Sequence, residues 1–327
     1  MPGNFLLLNE TEIRSSVGLD LEGLSAVEDG FSRFARGEAI LPFPIGLDVP
    51  EPHAEVHIKT AYVRGLSGFA VKIASGFFGN MKLGLPVSSG LMLLISAETG
   101  EPRALLLDNA YLTEVRTALA GAIAAKHLAK PEIETVGVVG VGMQARMQLE
   151  ALKLVREFRR ALVYGRKPEA IESYIRDVSS RLELEVVPAR NLSELVRESD
   201  LVITATSARE PLVRAEDLHP GLHITAMGSD GPGKQELDPA VLASADRIVC
   251  DSKDQCLRLG ELQHASLGDG APIAELGQLT AGLEPGRQND REVTVCDLTG
   301  LGVQDTAIAN FAYERARARA LGTTVAL

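Results

Sequence analysis

The chain has 327 residues, of which 45% are hydrophobic and 24% charged, and its formal net charge is −11. That is the composition of an ordinary globular protein, long enough for two domains, and it excludes a disordered chain. The acidic balance disfavours nucleic acid and anionic membrane as partners, while leaving room for a local basic pocket that takes a small anion.

No apolar run approaches the roughly 20 residues needed to span a bilayer. The N-terminal MPGNFLLLNETEIRSS lacks the basic region and apolar core of a secretory signal. Cys250, Cys256 and Cys296 form no disulfide or metal-ligand pattern, so they are expected to be buried small hydrophobes in a reducing cytoplasm. The histidines, His53, His57, His127, His219, His223 and His264, show no zinc spacing and are expected to be structural or solvated.

In chain order, Asp20 is placed to cap a helix in which Leu21, Leu24, Val27, Phe31 and Phe34 recur at helical spacing. Prolines and glycines between Leu41 and Pro52 read as a loop. The pattern then changes to strands: EVHIKTAYV, GFAVKIASGF, GLMLLIS and RALLLD, the last two joined across a turn-forming Ala97–Pro102. This predicts an antiparallel sheet preceded by one helix. Thr113 to Ala129 is an alanine-rich helix that Pro131 brings to an end.

From Glu134 onward strands and helices alternate. Strands are expected at 135–139, 160–164, 185–188, 200–206, 222–227 and 246–250, and helices at 143–156, 168–182 and 191–198. Such alternation specifies a parallel sheet covered by helices on both faces. EVTVCDLTG reads as a further strand and QDTAIANFAYERARARA as a last helix, which is free to leave this domain and pack on the first one. The expected architecture is therefore α/β: a Rossmann-type doubly wound domain over 116–304, with a smaller, discontinuous α+β domain from 1–115 and 305–327 for substrate binding and dimerisation.

The stretch ETVGVVGVGMQARMQLEA carries the sharpest local signal. A short apolar strand runs into Gly140-Val-Gly142-Met-Gln-Ala145 and directly on into a helix. Gly140 permits the tight turn, Gly142 lets the backbone approach a pyrophosphate, and Ala145 lets helix and strand lie close. The pyrophosphate would rest on the free N–H groups of the helix start. At the tip of the second strand, where an acid would bind the ribose 2′-hydroxyl of NAD(H), stand Gly165, Arg166 and Lys167. Two cations favour NADP(H), with NAD(H) possible, unless they are simply a solvated helix start.

Lys59 and Lys72 lie in half-buried strand patterns, which is costly for a lysine without an anionic partner. Arg116, early in the alanine-rich helix, offers a fork for a carboxylate or phosphate, or else a surface ion pair with Glu114 or a neighbour. Asp230, within Gly228-Ser-Asp230-Gly-Pro-Gly-Lys234, follows a parallel strand and so falls where open α/β sheets bind ligands. Thr206-Ser207 and Thr299-Gly300 also follow strands, and either bind cofactor or close turns.

Together FAVKIASGFFGN with GLP soon after, EVRTALAGAIAAKHLA, GVVGVGMQARMQLEAL, AMGSDGPGKQELDP and VTVCDLTGLGVQD resemble the ornithine cyclodeaminase/mu-crystallin family over nearly the whole chain. GFFGNMKLGLPVSSGLMLL looks similar to its branch associated with ectoine utilisation. By this resemblance Lys72 and Arg116 are expected to bind the substrate carboxylate and Asp230 to be the catalytic acid or base. Thr117, Met143, Gln144, Thr206, Met227, Gly228, Ser229, Lys234 and Thr299 fall where the family contacts its cofactor. The family also implies a homodimer built on the first domain's sheet. Where ornithine-acting members carry an acid for the distal amine, this chain has Lys59. A cation there repels an ornithine ammonium and suits a second carboxylate or a neutral ring.

The expected activity is NAD(P)H-dependent reduction of a small 2-imino acid or cyclic ketimine, reversible as an amino-acid dehydrogenase. Cyclodeamination with recycled NAD and non-catalytic, cofactor-dependent ligand binding are the alternatives.

Overall fold

The computed structural model describes residues 4–51, 54–267 and 272–326. The chain divides into two compact units, residues 1–116 with 301–327 and residues 117–300.

In the first unit an eight-stranded sheet runs in the order Thr323–Ala326, Asn4–Asn9, Pro102–Leu107, Ser88–Ser96, Gly68–Phe77, Ala54–Val63 and Ala39–Ile40, and Ile45–Val49 also pairs with Ala54–Val63. The expected antiparallel hairpins are present, but the sheet is mixed, because Asn4–Asn9 pairs parallel to Pro102–Leu107. The proline-flanked segment expected to be a loop contains the strand Ile45–Val49, which pairs antiparallel with Ala54–Val63. Pro52 and His53 lie outside the described residues. Two helices, not one, precede the hairpins, Glu10–Ser16 and Leu21–Ala35. Asp20 caps the second by accepting a 2.7 Å hydrogen bond from Gly23 N.

The helix Gly302–Ala318 packs on one face of this sheet. Small residues make room for it: Ala61 and Ala70 are fully buried, and a Cβ on Gly302 would collide with the Thr60 carbonyl. Helix side chains also enter the ladder. Thr306 Oγ1 donates to Ala61 O (2.7 Å) and accepts from Ala70 N (3.0 Å), while Asn310 donates to Gly68 O and accepts from Gly68 N. The last helix therefore belongs to the first unit, as its periodicity allowed. Ile45, Leu47 and Ile73, on the opposite face of the sheet by strand register, are exposed.

The second unit is built on eight strands, all parallel, in the order Glu185–Pro188, Arg160–Tyr164, Thr135–Val139, Leu201–Thr204, His223–Ala226, Thr294–Asp297, Arg247–Cys250 and Ile273–Glu275. The strand that opens the unit, Thr135–Val139, sits between the second and fourth, which makes a topological switch point beside its C-terminal end. All five of its residues are buried, which is why it reads as a continuous apolar run. The fold is thus the expected doubly wound α/β type. Further short elements, such as Arg209–Val213, Gln235–Leu237, Pro239–Ser244 and Lys253–Leu259, lie in stretches with no clear periodicity.

The cysteines are free and buried. His223 is buried between Thr294 Oγ1 (2.8 Å) and Thr225 Oγ1 (3.0 Å), and burial, reinforced by Arg287, pushes it down to about 3, so it stays neutral. Among the described residues no helix is long and apolar enough to cross a membrane.

Candidate active site

Within the first unit, Lys59 and Lys72 are register partners on adjacent antiparallel strands, so both side chains leave the same face of the sheet. They are only 7% and 2% exposed. Like charges placed directly opposite repel, and burial adds a desolvation cost, so this arrangement needs a compensating anion.

Asp305 supplies it from the first turn of the helix Gly302–Ala318. Its carboxylate is fully buried, with Oδ2 3.1 Å from Lys72 Nζ and Oδ1 2.9 Å from Arg116 Nε. Both oxygens lie off the hydrogen-bond direction, so these contacts are Coulombic more than they are aligned bonds. Arg116 also donates from Nη1 to Gln304 Oε1 (3.1 Å), which in turn accepts from Leu301 N (2.7 Å). Arg116 is therefore not the surface partner of Glu114 that its position allowed.

Burial, then Arg116, pushes Lys72 down to about 7 against the pull of Asp305, and Lys59 adds to the depression. Burial opposes ionisation of Asp305, but Arg116, Lys72 and Lys59 outweigh it and hold the carboxyl below its usual range. A second acid, Asp108, accepts from Leu112 N (2.8 Å), and burial pushes it up to about 6. The buried cations Lys59, Lys72 and Arg116 thus stand against the buried carboxylates of Asp305 and Asp108, the latter reluctant to ionise.

Within the second unit the turn after Thr135–Val139 has the geometry its glycines demand. Gly140 adopts φ +121, and a Cβ there would lie 2.6 Å from Ala205 O. Gly142 is the N-cap of the helix Met143–Leu152, with no side-chain cap, and a Cβ added to it would meet nothing within 4 Å. Ala145 is fully buried, and its carbonyl accepts from Tyr174 OH (2.9 Å). An uncapped helix start beside open space, with no side chain to fill it, fits the pyrophosphate of a dinucleotide.

Residues that local patterning did not single out stiffen this loop. Arg146 donates from Nη1 to Val141 O and to Gly142 O (3.0 Å), and its Nε pairs with Asp177 at 2.9 Å. Gln148 Nε2 donates to Thr117 O (3.0 Å) and Gln144 Oε1 (3.3 Å), and a Cβ on Gly121 would collide with its side chain. Met143 is exposed. At the tip of Arg160–Tyr164, Arg166 and Lys167 are both exposed, and Lys167 is the N-cap of the helix Pro168–Leu182.

The other expected cofactor residues lie at the C-terminal ends of the same parallel strands. Thr206 donates from N and Oγ1 to Glu236, Ser207 is exposed, and Met227 is buried beside Gly228. Ser229 is buried, with its hydroxyl donating to Lys234 O (2.8 Å). Asp230 is half-exposed and pairs with Lys234 Nζ at 2.7 Å. Thr299 is buried, and its N and Oγ1 both donate to Asp251 at 2.9 Å.

A glycine turn before an uncapped helix, a buried cation cluster and a half-exposed acid after a parallel strand are accompanied by a match to the ornithine cyclodeaminase/mu-crystallin family model over residues 4–320. The chain belongs to that family. It is 47% identical to a Rhizobium meliloti protein named as a dehydrogenase, over 97% of this chain and 98% of the relative. Among solved structures, the Thermococcus litoralis Δ1-pyrroline-2-carboxylate reductase in complex with NADH and L-proline matches with a TM-score of 0.92 at 31% identity, covering 98% of this chain and 100% of that one. The iminosuccinate reductase of Paracoccus denitrificans in complex with NAD+ matches with a TM-score of 0.91 at 31% identity, covering 99% and 100%.

Lys72 and Arg116, the two positions expected from the family motifs to meet a substrate carboxylate, are brought together on Asp305. Asp305 and Gln304 were absent from the expected site, although both lie in the motif VTVCDLTGLGVQD. Their signal was a pair of adjacent polar residues in the first turn of a helix that continues Thr306-Ala-Ile-Ala309, mostly small or apolar.

Proposed function

We propose that this protein reduces a small 2-imino acid or cyclic ketimine to the amino acid with a nicotinamide dinucleotide, and runs in reverse as an amino-acid dehydrogenase. The observation that carries this reading is the buried pair of Lys72 and Arg116 sharing Asp305. Two fixed cations with a partial counter-charge are preorganised for a substrate carboxylate, and alignment of this kind contributes several kcal/mol, on the order of 7–11 in well-oriented systems.

The dinucleotide, when bound, supplies the hydride for the imine carbon. Lys72 and Arg116 hold the carboxylate, and the turn at Gly140–Gly142 holds the pyrophosphate. Asp230, oriented by its contact with Lys234, exchanges the proton at the substrate nitrogen. Arg166 and Lys167, two exposed cations at the tip of the second strand, suit a 2′-phosphate and so favour NADP(H) over NAD(H).

Lys59 shapes the substrate class. A buried cation in register with Lys72 disfavours a substrate with a distal ammonium, so ornithine cyclodeamination is not the preferred reading. It accommodates a second carboxylate, the chemistry that the name of the Paracoccus denitrificans relative implies for that protein. The exposed apolar residues Ile45, Leu47 and Ile73 support a homodimer formed on that face of the first unit's sheet.

The test is a panel of 2-keto acids with ammonia or methylamine, cyclic imines and iminodicarboxylates, followed by nicotinamide absorbance with NADH and NADPH. Oxidation of the cofactor that depends on the imine supports the reading. Ammonia release from a diamino acid without any absorbance change would replace it with cyclodeamination. Asp230→Asn is expected to reduce kcat by at least about a hundredfold while leaving NADH affinity within about twofold, and a variant that turns over like wild type removes Asp230 from the mechanism.

A further inference from the structure

Glu236 enters the site described so far only as the acceptor of Thr206, yet it is fully buried and takes four hydrogen bonds. Its Oε1 accepts from Thr206 N and Thr206 Oγ1, both at 2.7 Å. Its Oε2 accepts from Thr204 Oγ1 at 2.6 Å and from Gly228 N at 2.8 Å. One rigid carboxylate therefore holds the backbone of two loops, those following the neighbouring strands Leu201–Thr204 and His223–Ala226.

The packing around it leaves no slack. A Cβ on Gly228 would collide with the Thr206 carbonyl and with the Glu236 carboxyl. The anchor is itself anchored, because Glu236 N and Leu237 N donate to the buried Glu261 carboxylate at 2.8 and 3.0 Å. A buried carboxylate is an expensive way to satisfy two peptide N–H groups at strand ends, since a hydroxyl or a water could accept each of them. What the carboxylate adds is a fixed spacing between the two loops.

We infer that Glu236 is a positioning residue that sets Thr206 and Gly228 for the nicotinamide half of the cofactor, and not for its adenosine half. The inference rests on the proposed reading, in which these strand ends carry the nicotinamide while the turn at Gly140–Gly142 carries the pyrophosphate. Glu236→Gln tests it with almost no change of shape. An amide nitrogen in place of either oxygen meets a backbone N–H, from Thr206 or from Gly228. The threonine hydroxyls can turn to accept, but a peptide N–H cannot.

The experiment titrates wild-type protein and Glu236→Gln with NADH, or with NADPH where wild type binds that form better, by its fluorescence, and with the matching ADP-ribose or 2′-phospho-ADP-ribose, which lacks the nicotinamide, by calorimetry. The expected result is a loss of NADH affinity of about tenfold, the scale of one lost buried hydrogen bond and the strain that follows it, with ADP-ribose affinity within about twofold of wild type. A general loosening of the domain would weaken both ligands together. Equal loss for both, or no loss for either in a folded variant, overturns the inference.

Should Glu236→Gln not fold, Thr204→Val decides. It removes one hydroxyl donor to Glu236 and keeps both backbone bonds, so a smaller loss, again confined to NADH, is expected, and a parallel loss or none overturns the inference. Wild-type protein that binds neither NADH nor NADPH would sink the proposed function along with this inference. Wild type that binds NADH and turns over, beside variants that match it, would sink the role of Glu236 alone.

Discussion

Lys59 and Lys72 face each other in register on adjacent strands, both buried, and Lys72 shares the buried carboxylate of Asp305 with Arg116. A protein that buries paired cations carries a standing electrostatic cost, and that cost is recovered when an anionic ligand binds. On the proposed reading, substrate choice, pH dependence and stability all follow from this cluster.

Replacing Lys59 by glutamate should invert the preference at the far end of the substrate. Lys59→Glu is expected to lower kcat/KM for an iminodicarboxylate by about tenfold or more, the order of one charge contact in a partly buried site. Relative activity toward a substrate with a distal ammonium should rise. Competition kinetics with the two substrate types checks this, and an unchanged ratio removes Lys59 from the specificity of the site.

Lys72, held down to about 7 from 10.5, predicts the pH response. Below about pH 7 both the native and the unfolded chain hold this proton, and the native state bears the whole cost of burying the charge. Between about 7 and 10.5 the unfolded chain binds a proton that the native chain lacks, so the contribution of Lys72 makes stability rise with pH across that window. Carboxylate binding needs the charged form and should run the other way, with substrate KM increasing above about pH 7 while NADH affinity stays level. The comparison of KM–pH profiles for wild type and Lys72→Met checks it. In the variant KM should be high and should no longer rise through that range.

Asp305→Asn removes the counter-charge from Lys72 and Arg116 while keeping the shape of the side chain. Leaving buried cations without their anion is expected to destabilise the fold by ~3–5 kcal/mol, and the loss should be larger at about pH 6 than at about pH 9, where Lys72 is neutral. Denaturant unfolding at the two pH values measures this. Equal stability of variant and wild type at the lower pH would show that the ion pairs carry no net weight.

Gly142→Asp separates stability from cofactor binding. A Cβ at this position meets nothing within 4 Å, and an aspartate at an uncapped N-cap is favourable, so the melting temperature should be unchanged or slightly raised. The new carboxylate would occupy and repel the pyrophosphate position, so NADH affinity should fall by about a hundredfold or more. Tight NADH binding by this variant would place the pyrophosphate elsewhere.

The sequence by itself determined whatever is encoded locally. Strand, turn and helix around Gly140–Ala145 follow from backbone sterics and an uncapped helix start, and these need only neighbouring residues. The same holds for the alternation that specifies the parallel sheet and for the end of the alanine-rich helix before Pro131. Lys72 and Arg116 were legible as candidates because a strand lysine and a helix arginine amid apolar neighbours each imply an anion.

Which anion they meet was decided only by tertiary structure. Asp305 lies at the far end of the chain and reaches Lys72 because Ala61, Ala70 and Gly302 let the last helix lie close on the sheet. The strand Ile45–Val49 was likewise illegible: prolines flank it, most of it is exposed, and it becomes a strand by taking the free edge of Ala54–Val63. Glu236, too, looks like one more charged residue in GKQELDP until the fold delivers four donors to its carboxylate from Thr204, Thr206 and Gly228. Periodicity and turn chemistry are short-range properties of a chain. The pairing of buried charges depends on which distant segments packing brings together.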